Sequence, residues 1–233
     1  MNNILEIDHL TKKYDDLTVL NDISLSVKKG EVLVIVGPSG CGKSTLLRCI
    51  NGLEDIQDGK VSIDGKTGMV FQSYELFPHM TVLQNLMLAP VKVQKRKKDE
   101  VKKEAEQLLE RVGLLAKKEN YPRQLSGGQK QRVAIVRALI MHPEVLLFDE
   151  VTAALDPEMV REVLDVILDL AKQDKTMLIV THEMAFARAI ADRVIFLEGG
   201  TIIEDTIPAR FFDAPRSDRA KKFLRTFEFE KVH

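Results

Sequence analysis

The chain has 233 residues, 45% hydrophobic and 30% charged, enough for a buried core and a solvated surface in one or two domains. Lys and Arg number 34 against 35 Asp and Glu, a balance that gives no electrostatic case for nucleic-acid binding; an aromatic share of 6% without tryptophan argues against a stacking platform for single strands. No apolar run approaches the ~18 residues of a membrane span, and Met1 to Ile4 lack the character of a secretory leader. Cys41 and Cys49 would stand ~12 Å apart on one helix, beyond the ~7 Å reach of a bridge, so a soluble, reduced, intracellular protein is expected.

The first 36 residues read as strands. Ile23, Leu25 and Val27 alternate with polar residues, the period of a half-buried strand. Lys29-Gly30 turns the chain into the continuous run Val32 to Val36, the pattern of a buried parallel strand. A glycine-rich loop leads into a helix with Leu46, Cys49, Ile50 and Leu53 on one face. Short strands and turns are expected over 59–72, and helices over most of 81–140. Val101, Ala105, Leu108, Leu109 and Val112 form an apolar stripe there, and another helix runs from about Gly127 to Ile140. Val145 to Asp149 and Met177 to Val180 are two more buried strands, separated by a helix that Pro157 suits at its first turn. Val194–Leu197 and Thr201–Glu204 flank Glu198-Gly199-Gly200, a hairpin signal. Residues 209–233 read as a small helical tail. Strands alternating with helices imply a mainly parallel sheet.

The chemistry concentrates in three places. Gly37-Pro38-Ser39-Gly40-Cys41-Gly42-Lys43-Ser44 fits the phosphate loop G-x-x-x-x-G-K-[ST]. Its backbone N–H groups turn inward around phosphates, Lys43 reaches the β- and γ-phosphates, and Ser44 ligates Mg²⁺. The motif follows a predicted strand and opens a predicted helix, whose positive end adds to the site. Asp149-Glu150 closes a buried strand, where a carboxylate faces the ligand crevice. Asp149 is expected to hold Mg²⁺ through water, and Glu150 to orient or deprotonate the attacking water. Leu125-Ser126-Gly127-Gly128-Gln129 reads either as a second anion site at a helix N-terminus or as a plain helix start with Ser126 as its cap. Cys41 is either a thiol activated by the helix end or a small residue filling the loop. Lys92 to Lys98 holds five basic residues, read as a solvated loop.

The phosphate loop, the Leu-Ser-Gly-Gly-Gln pentapeptide, Asp149-Glu150 and His182, in that order, resemble the ATP-binding subunits of ABC transporters over about residues 4–227. The resemblance implies an α/β fold: a P-loop NTPase core with a mainly parallel sheet, an antiparallel β subdomain and an inserted helical subdomain. Residues 1–85 and 142–208 would form the ATP-binding core, 86–141 the helical subdomain and 209–233 the tail. ATP and Mg²⁺ are the implied ligands. Tyr14 matches the aromatic that stacks on adenine, Thr45 completes the phosphate loop, and Gln72 matches the glutamine that reaches Mg²⁺ and the attacking water. His182 matches the histidine that contacts the γ-phosphate. Asp156, in Ala154-Leu155-Asp156, matches the loop that crosses a dimer seam, and Ser126 to Gln129 would serve the ATP held by a second copy in a head-to-tail homodimer.

Phe71 to Val82, and Thr181 to Arg188 followed by Ala191 to Phe196, are similar to segments of bacterial uptake ATPases for polar amino acids of the glutamine, arginine or histidine type. That implies a peripheral protein on the cytoplasmic face of the membrane. Separate permease subunits would contact Tyr74 to Met80, and an extracytoplasmic substrate-binding protein would act indirectly. Export or lipid handling, and membrane-coupled signalling to a cell-wall hydrolase, are the alternatives; a chromosome-maintenance role would need a long coiled coil that the sequence lacks. Three departures from the family stand out: only Lys66-Thr67 lies between Asp64-Gly65 and Gly68-Met69, Val151 replaces a proline, and Glu204-Asp205-Thr206 lacks a glycine.

Overall fold

Alternation of apolar and polar residues shapes the start of the chain. In the computed structural model, which describes residues 3–153 and 155–227, β1 (Asn3–Tyr14) pairs antiparallel with β2 (Leu17–Lys28). Ile23, Leu25 and Val27 all face the core. Next come β3 (Val32–Val36), α1 (Lys43–Ile50), β4 (Asp58–Ile63) and β5 (Thr67–Val70). β4 pairs with the other edge of β1, so the first sheet runs β2-β1-β4. Three helices follow: α2 (Val82–Lys92), α3 (Lys98–Arg111) and α4 (Gly127–Leu139). The remainder is β6 (Val145–Asp149), α5 (Pro157–Ala171), β7 (Thr176–Val180), α6 (Met184–Ile190), β8 (Arg193–Glu198), β9 (Thr201–Thr206), α7 (Pro208–Asp213) and α8 (Asp218–Arg225).

The second sheet runs β5-β6-β7-β3-β8-β9, parallel except for the β8–β9 hairpin. β3, β6 and β7 are buried at every position because both faces of the sheet are covered. Along β3 the two faces separate by parity. Leu33 and Ile35 pack with α1 and the three-stranded sheet, whereas Val32, Val34 and Val36 pack with residues of α4 to α8. A third cluster joins α2, α3 and α4 through Leu86, Val101, Ala105, Leu109 and Val133, as the stripe on α3 requires. Among the described residues no helix is long and apolar enough to cross a membrane.

One expectation changes. α1 ends at Ile50, and Gly52, left-handed at φ +72°, stops the helix before Leu53. That leucine is therefore 56% exposed and not on a buried helical face. The shortened 64–67 stretch makes a tight turn that passes directly from the first sheet to the second. Glu144 clasps it: its carboxylate accepts from the Lys66 N–H at 2.6 Å, and its own N–H donates to Lys66 O at 2.9 Å. Val151 sits in the main core. Glu204 is buried and accepts from the Ser217 N–H at the start of α8. Ala154 and residues 228–233 of the expected tail lie outside the described residues.

Candidate active site

The loop between β3 and α1 is shaped by glycines that nothing larger can replace. A Cβ on Gly37 would stand 2.0 Å from the Leu197 carbonyl oxygen, and one on Gly42, at φ +100°, would meet Leu20 at 2.7 Å and the Val19 carbonyl at 3.0 Å. Gly40, also left-handed at φ +77°, has nothing within 4 Å of a Cβ position, so the loop crest is open to a ligand. Into this cradle Lys43 folds back: its side chain is 3% exposed, and Nζ donates to Gly37 O at 3.0 Å and Pro38 O at 2.9 Å. A buried ammonium held by neutral carbonyls is a ready donor to phosphate oxygens. Ser39 is exposed, and Pro38, Ser44 and Thr45 are half-buried around it. Cys41 is buried, and burial pushes its thiol up against the opposing pull of Lys43; of its two readings, the space-filling one holds. Cys49 is buried too, its thiol pushed up to about 11.

Two carboxylates reach the cradle from the end of β6. Asp149 is buried and accepts from Ser44 Oγ at 2.6 Å. Burial raises its carboxyl above the ordinary range, with the Ser44 hydrogen bond pulling the other way. Glu150 follows in a left-handed conformation, φ +47°, which costs a non-glycine residue on the order of 1 kcal/mol or more. The turn is held by its N–H donating to Val180 O at 3.0 Å. It aims the carboxylate at His182, just past β7, with Oε1 2.9 Å from Nε2 and 3.7 Å from Lys43 Nζ. Gln72 is exposed on a cleft of about 720 Å³ that Ser44, Arg48 and Asp149 also line.

Residues that sequence reasoning passed over hold the Gln72 loop. From α4, Gln131 Nε2 donates to Phe71 O at 3.2 Å, and Arg137 donates to the carbonyls of Tyr74, at 3.1 Å, and Glu75. Tyr74 and Glu75 are both left-handed, at φ +61° and +51°. The only signal for Arg137 was a cation set among Val133, Ala134, Val136 and Ala138, which are buried. Burial lowers its guanidinium from the ordinary value.

The remaining predicted residues divide. Tyr14 is 40% exposed, and its hydroxyl faces Glu54 and Thr45, so it stands beside α1. Ser126 is the N-cap of α4 in a reciprocal box: its Oγ accepts from the Gln129 N–H at 3.3 Å, and Gln129 Oε1 accepts from the Ser126 N–H at 3.1 Å. The capping reading is thus realised. A Cβ on Gly128 would stand 2.9 Å from Met159 Cβ, which explains a glycine there without a ligand. Asp156 precedes α5 with an exposed side chain that makes no cap hydrogen bond. The Gly128 N–H donates to Met159 Sδ at 3.4 Å on α5, and the other hydrogen bonds of Ser126 to Gln129 and of Asp156 are local, so within one chain the structure does not join them to the cradle.

A phosphate cradle around a buried lysine, with a hydroxyl–carboxylate pair and a polarisable carboxylate at the ends of parallel strands, defines a P-loop nucleoside triphosphatase. Residues 20–153 match the family model described as ABC transporter, and the chain belongs to that family as an ATP-binding, ATP-hydrolysing subunit. It is 54% identical to the glutamate transport ATP-binding protein GluA of Corynebacterium glutamicum and 52% identical to the glutamate/aspartate import ATP-binding protein GltL of Escherichia coli, covering 95% of this chain and 98% of the relative in each case. Among solved structures, a dimeric ATP-binding cassette in a post-hydrolysis state bound to ADP and Pi superposes with TM-score 0.79 at 33% identity, over 88% of this chain and 98% of that one. For cbiO1 of Clostridium perfringens, part of the ABC transporter complex cbiONQ, the TM-score is 0.82 at 31% identity, over 97% and 94%.

Proposed function

We propose that this ATPase energises uptake of polar amino acids through separate membrane-spanning subunits, acting as a head-to-tail homodimer on the cytoplasmic face of the membrane. The observation that carries the reading is identity above 50% over 95% of the chain to proteins named for glutamate transport and glutamate/aspartate import. An extracytoplasmic binding protein would deliver the substrate to the permease. Residues 1–85 and 142–208 serve as the ATP-binding core, 86–141 as the helical lobe and 209–233 as the tail.

The geometry supports a role for each group. The triphosphate lies along Gly37 to Thr45, and Lys43 exchanges the carbonyls of Gly37 and Pro38 for phosphate oxygens. Ser44, Asp149 and Gln72 are the residues that fit Mg²⁺, because a hydroxyl, a carboxylate and an amide oxygen are the hard donors it prefers; when bound, it neutralises charge on the phosphates. Glu150 accepts the proton of the attacking water, and His182, hydrogen-bonded to that carboxylate, holds its orientation and approaches the γ-phosphate. Tyr14 stacks on adenine. Ser126 to Gln129 and Asp156, which find no partner at the cradle of their own chain, serve the nucleotide of the second copy.

The test is transport. The chain is co-expressed with the permease and binding protein encoded beside its gene, reconstituted in liposomes, and given ATP inside with labelled amino acids outside. ATP-dependent accumulation of glutamate, glutamine or another polar amino acid is expected. Outward movement of substrate, or ATP turnover with no polar amino acid carried, overturns the reading.

A further inference from the structure

Lys12 occupies a place where an ammonium is rare: its side chain is only 6% exposed. It stands two residues before Tyr14 on β1, so both side chains leave the same face of the strand. Three groups hold it. Nζ lies 3.1 Å from Glu54 Oε2, donates to Asp55 O at 2.7 Å, and sits 4.5 Å from the centre of the Tyr14 ring. Glu54 and Asp55 belong to the loop just past α1, so Lys12 binds that loop to β1 with the ring as the third contact. The Glu54 carboxylate is held below the usual range by Lys12 first and by the Tyr14 hydroxyl second. Tyr14 stays 40% exposed despite this cover.

A leucine could tie β1 to the loop without desolvating a charge. A cation against one face of an aromatic ring does something more: it occupies that face and is attracted to it. We propose that Lys12, locked by Glu54, is a positioning residue for the nucleotide base, backing the Tyr14 ring so that adenine stacks on the face left open. The inference rests on the reading of Tyr14 as the adenine-stacking residue. It adds a specific dependence: the contribution of Lys12 to ATP affinity runs through the ring and through nothing else.

Calorimetric titration of the full chain with MgATP and with magnesium tripolyphosphate, which has no base, tests this. Tyr14→Ala is expected to weaken ATP binding. Lys12→Met should weaken it roughly three- to ten-fold, the size expected for loss of a partly desolvated cation–π contact, and Lys12→Arg should restore most of the affinity. In the Tyr14→Ala background, Lys12→Met should add nothing, and tripolyphosphate affinity should stay level throughout. Unchanged ATP affinity in Lys12→Met, an equal loss with and without Tyr14, or a parallel loss of tripolyphosphate each overturns the inference while leaving stacking intact. Unchanged affinity in Tyr14→Ala removes the stacking reading, and the inference with it. Should Lys12→Met fail to fold, Glu54→Gln keeps the lysine in place and removes its countercharge. It is expected to act in the same direction and with the same dependence on Tyr14; no effect, or an effect independent of Tyr14, counts against the proposal.

Discussion

His182 Nε2 lies 2.9 Å from the same Glu150 oxygen that stands 3.7 Å from Lys43 Nζ. One carboxylate is thus shared between an imidazole and an ammonium. When Lys43 turns to a triphosphate, Glu150 is left to the imidazole and to the water it is proposed to activate.

Glu150→Gln keeps the size of the side chain and one acceptor oxygen for His182 but removes the base. General-base help is typically worth ~10²–10⁴-fold, and turnover should fall by about that factor while ATP still binds. Unhydrolysed ATP should then hold two chains together, and adding Ser126→Arg should separate them. Size-exclusion chromatography with light scattering reads both results. A Glu150→Gln chain that stays monomeric in saturating ATP would sink the shared-nucleotide arrangement.

Asp149→Asn should stabilise the nucleotide-free chain while abolishing Mg²⁺-dependent hydrolysis. Burial is the main reason that the folded pKa of Asp149 lies above its ordinary value of 3.8, so it is the ionised carboxylate that burdens the fold. Below pH 3.8 the group is neutral in the folded and unfolded chains, and parent and variant should melt together. As pH rises from there through the folded pKa, the parent loses stability and the variant does not. The gap should then stay constant up to neutral pH, with each kcal/mol moving Tm by roughly 2–4 °C in a chain of this size. Melting curves across pH check this; a variant less stable than the parent at pH 7 contradicts it.

Arg137→Met removes the cation that satisfies two carbonyls of the Gln72 loop. Charged hydrogen bonds of this kind are worth about 1.5–3 kcal/mol, so denaturant unfolding should register a loss of that order. Amide exchange over 72–75 should quicken ahead of exchange in β6 or β7. Equal exchange in variant and parent would mean that the loop holds its shape without α4.

Phe77→Ala probes the surface proposed for the permease. The ring is 41% exposed, and the backbone there is fixed independently of it. Asn85, buried, accepts from the Phe77 N–H at 2.8 Å and donates to Phe77 O at 3.2 Å. Stability should therefore change by less than ~0.5 kcal/mol, while capture of the chain by its permease weakens. A large loss of stability would show instead that the ring belongs to the core.

Patterns local in sequence were the legible ones. Apolar runs of four or five residues became the central strands, and Gly199-Gly200 became a turn with both glycines at positive φ. The spacing from Gly37 to Ser44 marked the cradle, and Asp149 met Ser44 although 105 residues separate them. What escaped depended on distant partners. Arg137 reads as an ordinary helical cation until the Tyr74 carbonyl, 63 residues away, lies beside it, and Lys12 reads as solvated until Glu54 and Asp55 fold over it. Leu53 was misplaced because periodicity continues past Gly52 on paper, while a left-handed glycine ends the helix in space. Ser126 to Gln129 carry two readings in sequence; the structure shows the capping box, with the Gly128 N–H turned to Met159 Sδ, and service to the nucleotide of a second copy is the proposal made above.

The abrupt turn at Asp64 to Lys66 leaves the six-stranded sheet with a border only four residues long, β5. Unpaired strand borders are templates on which other chains can add themselves and begin to aggregate, and brevity is one defence against it. The trimmed connection thus leaves little rail at that border: in the head-to-tail pair proposed above, one chain can approach another through the nucleotide face without zipping along β5.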